Sequence, residues 1–461
     1  LTISNNTGLS SNYTLNGGTH TFDIDTRTVT FSGARVYDGT TTVANGDLTT
    51  ISNLVTGETL GISGAGSVTS KDVGTNKSIT AGSLSLTNGT GLASNYSLGS
   101  GTFDISQKWV SLTGSKSYDG NRTVDSSNLT IGNLISGESL NLSGSGTVQD
   151  SAVGINKNIS LGTLTLGSTG SGTASNYTFG STSFDITKRV LGGSGSRIYD
   201  GSTDILSSDI TLNNLVGGET LTFSGVGSVS NAGVQNNKSV SAGSFAINDG
   251  TGSSGNYTLD GGVFTISVTT RPLTLTGTRS YNGGTTVNNS KLTTFSNLVN
   301  GESLGLSGSG SVANANVGLS KTVTLGTLAL EDGSGSASNY ELSNALLDIT
   351  AKAVTLNGSK SYDGSTQVQS SDLSISNLVG SETLNLSGSG LISSPAVGND
   401  YVITVDTLTL ADGTNGGLAS NYTLVGGSKT FNVTQRVLNL SGSRAYDSTT
   451  NAASGDLALG N

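Results

Sequence analysis

Residues 22 to 42 read FDIDTRTVTFSGARVYDGTTT, and this stretch returns along the whole chain. It comes back as FDISQKWVSLTGSKSYDGNRT from Phe103 and as FDITKRVLGGSGSRIYDGSTD from Phe184, and in weaker form three more times. One tyrosine marks each copy: Tyr37, Tyr118, Tyr199, Tyr281, Tyr362 and Tyr446. Their spacing of 81, 81, 82, 81 and 84 residues indicates one module copied end to end.

The repeat sets the expected domain boundaries. The domains are residues 1–26 (a partial repeat), 27–107, 108–188, 189–270, 271–351, 352–435 and 436–461 (a second partial repeat). The opening LTISNNTGLSSNYTL aligns with LSLTNGTGLASNYSL from Leu84, so the chain begins inside a repeat. It also ends inside one, and we therefore expect an excerpt of a longer chain.

Composition excludes several classes of protein. Of 461 residues, 33% are apolar, 11% are charged and 68 are glycine, yet the apolar residues alternate as in folded strands. No cysteine is present, which excludes disulfide frameworks and thiolate chemistry. The net charge of −10 argues against nucleic acid or anionic lipid as a partner. No apolar run reaches the roughly 20 residues of a membrane span.

The apolar residues change from one face of the strand to the other once in each repeat. Phe22 and Ile24 share one parity, whereas Val29 and Phe31 share the other. Such a change requires a bulge or a break. It falls where one repeat passes into the next, which predicts a strand-to-strand connection with almost no linker. Gly33 then interrupts the new strand, as expected for a bulge or a close backbone approach.

The pattern of short strands and turns predicts the fold class. Each period contains six or seven short alternating segments and nothing with helical spacing. This density of turn signals is typical of small antiparallel sandwiches. We expect an all-β chain of tandem, small, antiparallel β-sandwich (Ig-like) domains in an extended rod. A continuous β-solenoid is the alternative.

The Tyr-Asp-Gly triplet reads as a turn, since Asp can bond its own backbone and Gly accepts positive φ. The structural repeat positions are Tyr37, Asp38, Gly39, Tyr118, Asp119, Gly120, Tyr199, Asp200, Gly201, Tyr362, Asp363 and Gly364. Calcium is an alternative use of these aspartates, but no Asp-x-Asp-x-Asp loop is present. In the fourth repeat Asn282 replaces Asp38 and Lys291 replaces Asp47; a turn accepts both exchanges, whereas a calcium site would accept the lysine poorly.

Basic residues concentrate at two positions in each repeat. The junction charges are Arg27, Arg35, Lys108, Lys116, Arg189, Arg197, Arg271, Arg279, Lys352 and Lys360. Three interpretations stay open: a ladder of ion pairs that braces each junction, solvated charges that protect a strand edge, and a site for an anion or an acidic glycan. The ladder would draw its acids from one glutamate per period, such as Glu58, and from aspartates such as Asp104.

A second tyrosine recurs at Tyr96 and its copies, and two interpretations compete for the tyrosine pairs. They are either core anchors whose hydroxyls bond at the rim or a surface on which sugars stack. Lys77 and Glu58 also suggest a lysine–asparagine isopeptide crosslink, but Tyr401 replaces the lysine in the fifth repeat. His20 is the only histidine. A catalytic or metal site built on one histidine is improbable, so we expect no enzyme and no cofactor.

The ordered set of motifs resembles the YDG repeat family. It consists of Tyr37-Asp38-Gly39-Thr40-Thr41, Gly57-Glu58, the segment Val73 to Lys77, Asn95-Tyr96 and Phe103-Asp104-Ile105. The family occurs with other glycine-rich, mostly-β modules in very large bacterial surface adhesins. Many of these are similar to filamentous haemagglutinins exported by two-partner secretion. The resemblance implies export and surface display, and it carries no catalytic residues over to this chain.

The expected function is therefore structural. We expect a stalk or spacer segment of an extracellular bacterial adhesin or biofilm-matrix fibre, on the cell surface or secreted. The alternatives are a self-assembling filament subunit and a carbohydrate-binding module. The expected partners are other parts of the same long chain, neighbouring copies or extracellular polysaccharide, with no nucleic acid and no membrane span.

Overall fold

The computed structural model describes residues 1–460, which form two compact units. The first unit contains Leu1–Gly192, Leu212–Phe223 and Ala246–Gly262. The second contains Gly193–Thr211, Ser224–Phe245 and the chain from Val263 onwards. The division passes through the interior of the third sequence repeat rather than between two repeats.

The first repeat contains eight strands: β1 (Arg27–Val36), β2 (Thr42–Ala44), β3 (Leu48–Ser52), β4 (Leu60–Ser63), β5 (Ala65–Val68), β6 (Gly74–Thr80), β7 (Ser85–Asn88) and β8 (Tyr96–Ser106). Six of them form one sheet in the order β2-β5-β6-β8-β1-β3, and β4 pairs with β7 alone. Strands β1 and β8 are parallel, with Arg27 opposite Tyr96 and Val36 opposite Ser106. The other pairs in this repeat are antiparallel.

The second repeat has the same arrangement with one strand interrupted. Its strands are β9 (Lys108–Ser117), β10 (Thr123–Asp125), β11 (Leu129–Gly132), β12 (Leu140–Ser143), β13 (Ser145–Val148), β14 (Gly154–Lys157), β15 (Ile159–Ser160), β16 (Thr165–Ser168) and β17 (Tyr177–Thr187). Strands β9 and β17 are the parallel pair. Strands β12 and β16 pair with each other, as β4 and β7 do.

The third repeat contributes strands to both units. They are β18 (Arg189–Val190), β19 (Gly192–Ile198), β20 (Asp204–Leu206), β21 (Ile210–Asn213), β22 (Leu221–Ser224), β23 (Val226–Ser228), β24 (Gln235–Ser239), β25 (Ala246–Asp249), β26 (Tyr257–Thr258) and β27 (Phe264–Thr269). In the first unit β18 is parallel to β26. In the second unit β19 is parallel to β27, which also pairs with β24 in the antiparallel sense.

The fourth repeat, in the second unit, has the topology of the first repeat. Its strands are β28 (Arg271–Ser280), β29 (Thr286–Asn288), β30 (Leu292–Ser296), β31 (Leu304–Ser307), β32 (Ser309–Val312), β33 (Gly318–Thr324), β34 (Ala329–Asp332) and β35 (Tyr340–Thr350). The sheet order is β29-β32-β33-β35-β28-β30, with β28 and β35 parallel.

The fifth repeat and the partial sixth complete the second unit. Their strands are β36 (Lys352–Ala353), β37 (Thr355–Ser361), β38 (Gln367–Gln369), β39 (Leu373–Ser376), β40 (Leu384–Ser387), β41 (Ser389–Leu391), β42 (Gly398–Val402), β43 (Thr404–Val405), β44 (Thr409–Asp412), β45 (Tyr422–Thr423), β46 (Lys429–Thr434), β47 (Asn439–Gly442) and β48 (Leu457–Gly460). Here β36 is parallel to β45 and β37 to β46.

Short 3-10 turns of three residues connect the strands. They are Ser10–Asn12, Asn45–Asp47, Ala93–Asn95, Ser126–Asn128, Ala174–Asn176, Ser207–Asp209, Ser254–Asn256, Asn289–Lys291, Ala337–Asn339, Ser370–Asp372, Ala419–Asn421 and Ser454–Asp456. Within residues 1–460 no helix is long and apolar enough to cross a membrane.

The hydrophobic core does not stop at the repeat boundary. In the first unit, Tyr37 and Phe103 of the first repeat belong to one cluster with Val110 and Tyr177 of the second. Leu140, in the β12–β16 pair of the second repeat, packs against this cluster. Part of the second repeat therefore covers the end of the first.

The predicted all-β class with tandem small β-sheet units is confirmed. One pairing differs from the expectation, since the first and last long strands of a repeat are parallel neighbours. The last strand lies beside the first and runs in the same direction, whereas the antiparallel fold class requires opposite directions. The predicted connection is also confirmed, because one residue separates the last strand of a repeat from the next strand: Gln107, Lys188, Thr270 and Ala351.

The expectation for Gly33 is confirmed on both counts. The register of β1 against β3 shifts between Ser32 and Gly33. A Cβ on Gly33 would lie 2.1 Å from the carbonyl oxygen of Asp47, well inside any real contact. The equivalent glycines of the next three repeats approach a carbonyl oxygen as closely: Gly114, Gly195 and Gly277.

Candidate functional site

The Tyr-Asp-Gly triplet forms a turn at the end of the first long strand of each complete repeat. In the first repeat Asp38 Oδ1 accepts a hydrogen bond from the Thr40 amide at 2.9 Å. Gly39 has φ of +80°, a conformation that a side chain disfavours. The other three aspartates accept the same backbone bond: Asp119, Asp200 and Asp363. The predicted turn is therefore confirmed.

The basic residue two positions before each turn tyrosine lies beneath that turn. The Lys116 ammonium is 3.0 Å from Asp119, and it donates to the carbonyls of Asn121 and Thr123 at 2.8 and 2.6 Å. Its side chain is only 8% exposed. The same ion pair with the turn aspartate is made by Arg35, Arg197 and Lys360. These cations stabilise the turn of their own repeat, so an ion-pair ladder across the junction is wrong for this set.

The fourth repeat keeps the cation and lacks the acid. Arg279 is 7% exposed and donates to the carbonyls of Gly284 and Thr286, while Asn282 stands where the other turns have aspartate. Burial lowers the pKa of Arg279, because desolvation disfavours its charged form. This turn holds a buried cation without the carboxylate that accompanies it in the other complete repeats.

The other set of basic residues, at the start of each repeat, makes no ladder of ion pairs either. Arg189 donates to the carbonyl and side-chain oxygens of Asn214 at 2.5 and 2.7 Å. It also donates to the carbonyl oxygen of Tyr118, in the turn of the preceding repeat, at 3.2 Å. Arg271 repeats this with Asn297 and Tyr199, and Arg27 bonds Asn53. Lys108 and Lys352 hold the equivalent positions and are partly exposed. Arginine at this position therefore spans the junction through neutral oxygens.

The acid that joins two repeats is the recurring glutamate. Glu138, in the second repeat, accepts a hydrogen bond from the Tyr37 hydroxyl at 2.6 Å and from the Tyr177 hydroxyl at 2.7 Å. Tyr37 belongs to the turn of the first repeat, whereas Tyr177 begins the last strand of the second. The carboxylate is 6% exposed. We call this arrangement the tyrosine–glutamate junction.

Within residues 1–460 the same junction occurs four times. The other three sets are Tyr118 with Glu219 and Tyr257 in the first unit, and Tyr199 with Glu302 and Tyr340, and Tyr281 with Glu382 and Tyr422, in the second. In every set the two rings meet edge to face, with centroids 5.4 to 5.5 Å apart. Such a contact contributes about 0.5–1.5 kcal/mol beyond the burial of its area.

Two further contacts fix the position of each junction. Asn176, which is fully buried, accepts a hydrogen bond from the Val73 amide of the preceding repeat at 2.9 Å. The other three junctions have the same bond, between Asn256 and Val153, Asn339 and Val234, and Asn421 and Val317. Moreover, a Cβ on Gly39 would lie 2.9 Å from Ile135 of the next repeat. Glycine in the triplet thus provides both a positive φ and room for the neighbouring repeat.

Burial and hydrogen bonding set the protonation states of the junction. Desolvation, reinforced by the neighbouring glutamate, raises the pKa of Tyr118, Tyr199 and Tyr281 to about 12. Desolvation also acts to raise the pKa of Glu138, but hydrogen bonds from Lys71, Tyr37 and Tyr177 outweigh it and hold this pKa below its usual value. At neutral pH a charged acceptor therefore faces two phenolic donors, which is a strong hydrogen-bonding arrangement.

The first junction has an additional cation. The Lys71 ammonium lies 2.7 Å from Glu138 and 5.9 Å from the centre of the Tyr37 ring. The hydrogen bond to Glu138 raises the pKa of Lys71. Because Lys71 comes from the first repeat and Glu138 from the second, this ion pair bridges two repeats, as the ladder interpretation of Arg27 and Arg35 required of those residues.

The open counterpart of a junction lies at the end of the fifth repeat. Tyr362 is 43% exposed, whereas the turn tyrosines of the four preceding repeats are 1 to 5% exposed. It lines a concavity of about 650 Å³ together with Asp363, Gly364, Val397, Gln435, Arg436 and Leu438. The sequence after residue 435 contains no Gly-Glu segment that could supply the acceptor.

The sequence identified the residues of this site but not their association. The tyrosines had two competing interpretations, and the core anchor with a bonded hydroxyl is confirmed at the four junctions, where the rings are buried. The recurring glutamate was considered as a partner of basic residues, and its position between two tyrosines from consecutive repeats was not predicted. The available signal was that the glutamate and the tyrosines recur once per period in a chain with only 11% charged residues. Within the described part of the chain, no group of three or more His, Cys, Asp or Glu residues could hold a metal ion.

Comparison with known proteins identifies the repeat. A family model described as YDG domain matches residues 24–103, 106–184, 188–263, 267–347 and 346–431. Together these ranges cover most of the chain. A search of curated proteins gives no match.

Proposed function

Because the chain belongs to the YDG domain family, we propose that it is a structural spacer segment of an extracellular bacterial adhesin or biofilm-matrix fibre. The observation that carries this proposal is the tyrosine–glutamate junction, repeated four times. A chain whose repeats only had to display separate sites would need no buried, hydrogen-bonded contact between neighbours. A spacer needs one, because a flexible joint would let it fold back.

The short connections support the same proposal. One residue separates consecutive repeats, and the strands before and after it both belong to sheets. A flexible linker would be longer and rich in Gly, Ser or Pro. The extracellular setting comes from the family resemblance and from the cysteine-free, Ser/Thr/Asn-rich composition. Export by two-partner secretion is part of the proposal and rests on the same resemblance.

Light scattering tests the spacer directly. The spacer proposal expects one monomeric species whose mass does not depend on concentration, and it expects antibody against the repeats to label intact cells of the source organism. Assembly that grows with concentration would favour the filament instead. Labelling only after lysis would contradict an extracellular role.

Exposed apolar residues favour the filament as the second candidate. Ile155 of β14 and Leu319 of β33 occupy equivalent positions where the strand register shifts, and they are 77 and 78% exposed. Side-by-side packing of copies would bury them. Ile155→Ser and Leu319→Ser together should abolish any assembly if this candidate is correct, and should leave a monomeric spacer unchanged.

The carbohydrate-binding alternative loses its main candidates. It requires exposed aromatic pairs, but the tyrosine pairs of the four junctions are buried. Trp109 is 51% exposed, but it is the only tryptophan of the chain and therefore cannot form a site that recurs in every repeat. A glycan array that shows no binding would remove this alternative.

A further inference from the structure

We propose that the parallel strand pair at the centre of each repeat is a mechanical clamp that resists tension along the chain. The clamp rests on the proposed spacer function in one respect, which is that tension must act on the chain. The observations behind the clamp are the direction and register of the strands, whereas those behind the spacer are the junctions. It assigns the repeat a further activity, which is to bear force.

The geometry of loading follows from the register. The chain enters the second repeat at Lys108, the start of β9, and leaves it at Thr187, the end of β17. These strands are parallel, with Lys108 opposite Tyr177 and Ser117 opposite Thr187. Entry and exit therefore lie at opposite ends of the same strand pair. Tension pulls the two strands past each other along their length, which is loading in shear.

Shear loads the whole ladder at once. Nine aligned residue pairs connect β9 and β17, and sliding strains their backbone hydrogen bonds together. Two strands pulled apart from one end break the same bonds one after another. Each bond contributes only about 1 kcal/mol to stability, and the same bonds break in both geometries. Shear and unzipping therefore differ in the force needed to cross the unfolding barrier and not in the equilibrium free energy of unfolding.

The rest of the sheet opposes sliding. Strand β9 also pairs with β11, and β17 also pairs with β14, so neither clamp strand is at a free edge. Phe184 of β17 and Leu112 of β9 are fully buried, and they would have to leave the core if the strands slid. A one-residue slip would turn every side chain of the strand to the wrong face.

The arrangement recurs along the chain. Strands β1 and β8 are paired in this way over nine residue pairs, and β28 and β35 over ten. Strand β37 pairs with β46 in the same sense. Because one residue separates consecutive repeats, the strand that leaves one clamp continues almost directly into the next. Each repeat therefore carries the full tension in series.

Single-molecule force spectroscopy on the 461-residue chain tests the clamp. The chain has no cysteine, so two introduced thiols define the points of attachment. Lys108→Cys with Thr187→Cys pulls the second repeat in its natural shear direction. Ser117→Cys with Thr187→Cys is the matched control, because these residues are opposite each other at one end of the pair and the strands separate by unzipping.

We expect a rupture force several times higher for the shear pair than for the unzipping pair, at equal thermal stability of the two variants. Equal rupture forces would overturn the proposal. If the second repeat of either variant fails to fold, the same comparison applies to the fourth repeat. There Pro272→Cys with Thr350→Cys gives shear, and Ser280→Cys with Thr350→Cys gives unzipping.

The outcome is separable from that of the proposed function. Light scattering on the unmodified chain reports whether it is a spacer or a filament subunit, and either one can contain a clamp. A monomeric chain with equal forces would keep the spacer and remove the clamp. A self-assembling chain with unequal forces would keep the clamp and remove the spacer.

Discussion

The turns of the fourth and fifth repeats have nearly the same sequence and different surroundings. Tyr281 is 5% exposed, donates to Glu382 at 2.6 Å and meets the ring of Tyr422 edge to face. Tyr362 begins the same kind of turn and is 43% exposed beside an open concavity. Residues 352–435, a complete repeat, follow the fourth turn, whereas residues 436–461 after the fifth turn are part of a repeat.

This difference shows that the burial of the turn tyrosine depends on the repeat that follows it. The turn itself forms in both places, since Asp363 still accepts the amide bond from Ser365 and the ion pair from Lys360. Only the burial of the ring depends on the next repeat. The repeat in the sequence is therefore shorter than the unit that completes a core.

The largest expected effect comes from removing the ring at an occupied junction. Tyr281→Ala should destabilise the contact between the fourth and fifth repeats by about 3 kcal/mol, because it leaves a cavity and takes one donor from Glu382. Tyr362→Ala, the matched control, should change stability by about 0.5 kcal/mol or less. Hydrogen exchange at the Val317 amide, which bonds Asn421 across this junction, measures the difference.

Equal effects of the two alanine substitutions would contradict the comparison. They would mean that the turn tyrosine stabilises its own repeat. The same experiment sharpens the account if exchange accelerates at Val317 alone and stays slow in strands of the first unit.

A smaller loss should follow from neutralising one junction glutamate. Glu138→Gln keeps the shape but offers one acceptor oxygen in place of two, so one tyrosine hydroxyl loses its partner and Lys71 its counterion. We expect a cost of about 2 kcal/mol. Urea unfolding followed by the fluorescence of Trp109, the only tryptophan, reports on this repeat.

Two other glutamate-to-glutamine substitutions serve as controls for Glu138→Gln. Glu58, at the equivalent position of the first repeat, accepts one tyrosine hydroxyl, from Tyr96, so Glu58→Gln should cost less. Glu331→Gln changes an exposed residue and should be neutral. A Glu138→Gln variant as stable as Glu331→Gln would show that the junction does not depend on its charge.

Alkaline pH should weaken the junctions by a moderate amount. Burial raises the pKa of Tyr118, Tyr199 and Tyr281 to about 12 in the folded chain, from 10.0. A raised pKa means that the folded chain holds its proton more tightly than the unfolded chain. The stabilisation is therefore complete below pH 10 and is lost as the pH rises through about 12.

Absorbance of the phenolate at increasing pH, recorded with circular dichroism, measures this loss. The junction tyrosines should ionise together with the loss of folded structure. Ionisation of the junction tyrosines at pH 10 with the sheets intact would show that these hydroxyls are not held by buried glutamates.

The smallest effect concerns the acid of the turn itself. Asn282→Asp should stabilise the fourth repeat by about 0.5 kcal/mol, because it gives the buried Arg279 the partner that the other complete repeats have. Asp363→Asn should cost the fifth repeat a similar amount. Thermal unfolding at low and high salt measures both, and both differences should shrink at high salt. A destabilising Asn282→Asp substitution would contradict this description of the turn.

Much of the fold follows from the sequence because alternation and turn chemistry are local. The face change before Thr28, the interruption at Gly33 and the turn at Asp38 each reflect constraints on a few neighbouring residues. The parallel pairing of β1 with β8 was not predictable in this way. The pair joins residues about 70 positions apart, and the alternation of a strand is the same in either direction.

The sequence showed which residues recur at the candidate site but not which of them contact each other. A ladder across repeats was one of three interpretations of Arg35 and Lys116, yet each pairs with an aspartate three residues away, where the turn brings the acid back beneath the strand. Tyr37 and Glu138 are 101 residues apart and lie in different repeats. Periodicity shows that such residues recur. It does not show whether an acid contacts a tyrosine of its own repeat or a tyrosine of the neighbouring repeat.

The most direct test of the account is the distance distribution across one junction. Spin labels at Thr49 of the first repeat and Thr130 of the second, both exposed and both in the first unit, require only two introduced cysteines. We expect one narrow distance distribution, which broadens when Glu138→Ala removes the shared acceptor of Tyr37 and Tyr177. A broad distribution in the chain with Glu138 intact would contradict the claim that consecutive repeats are joined without slack.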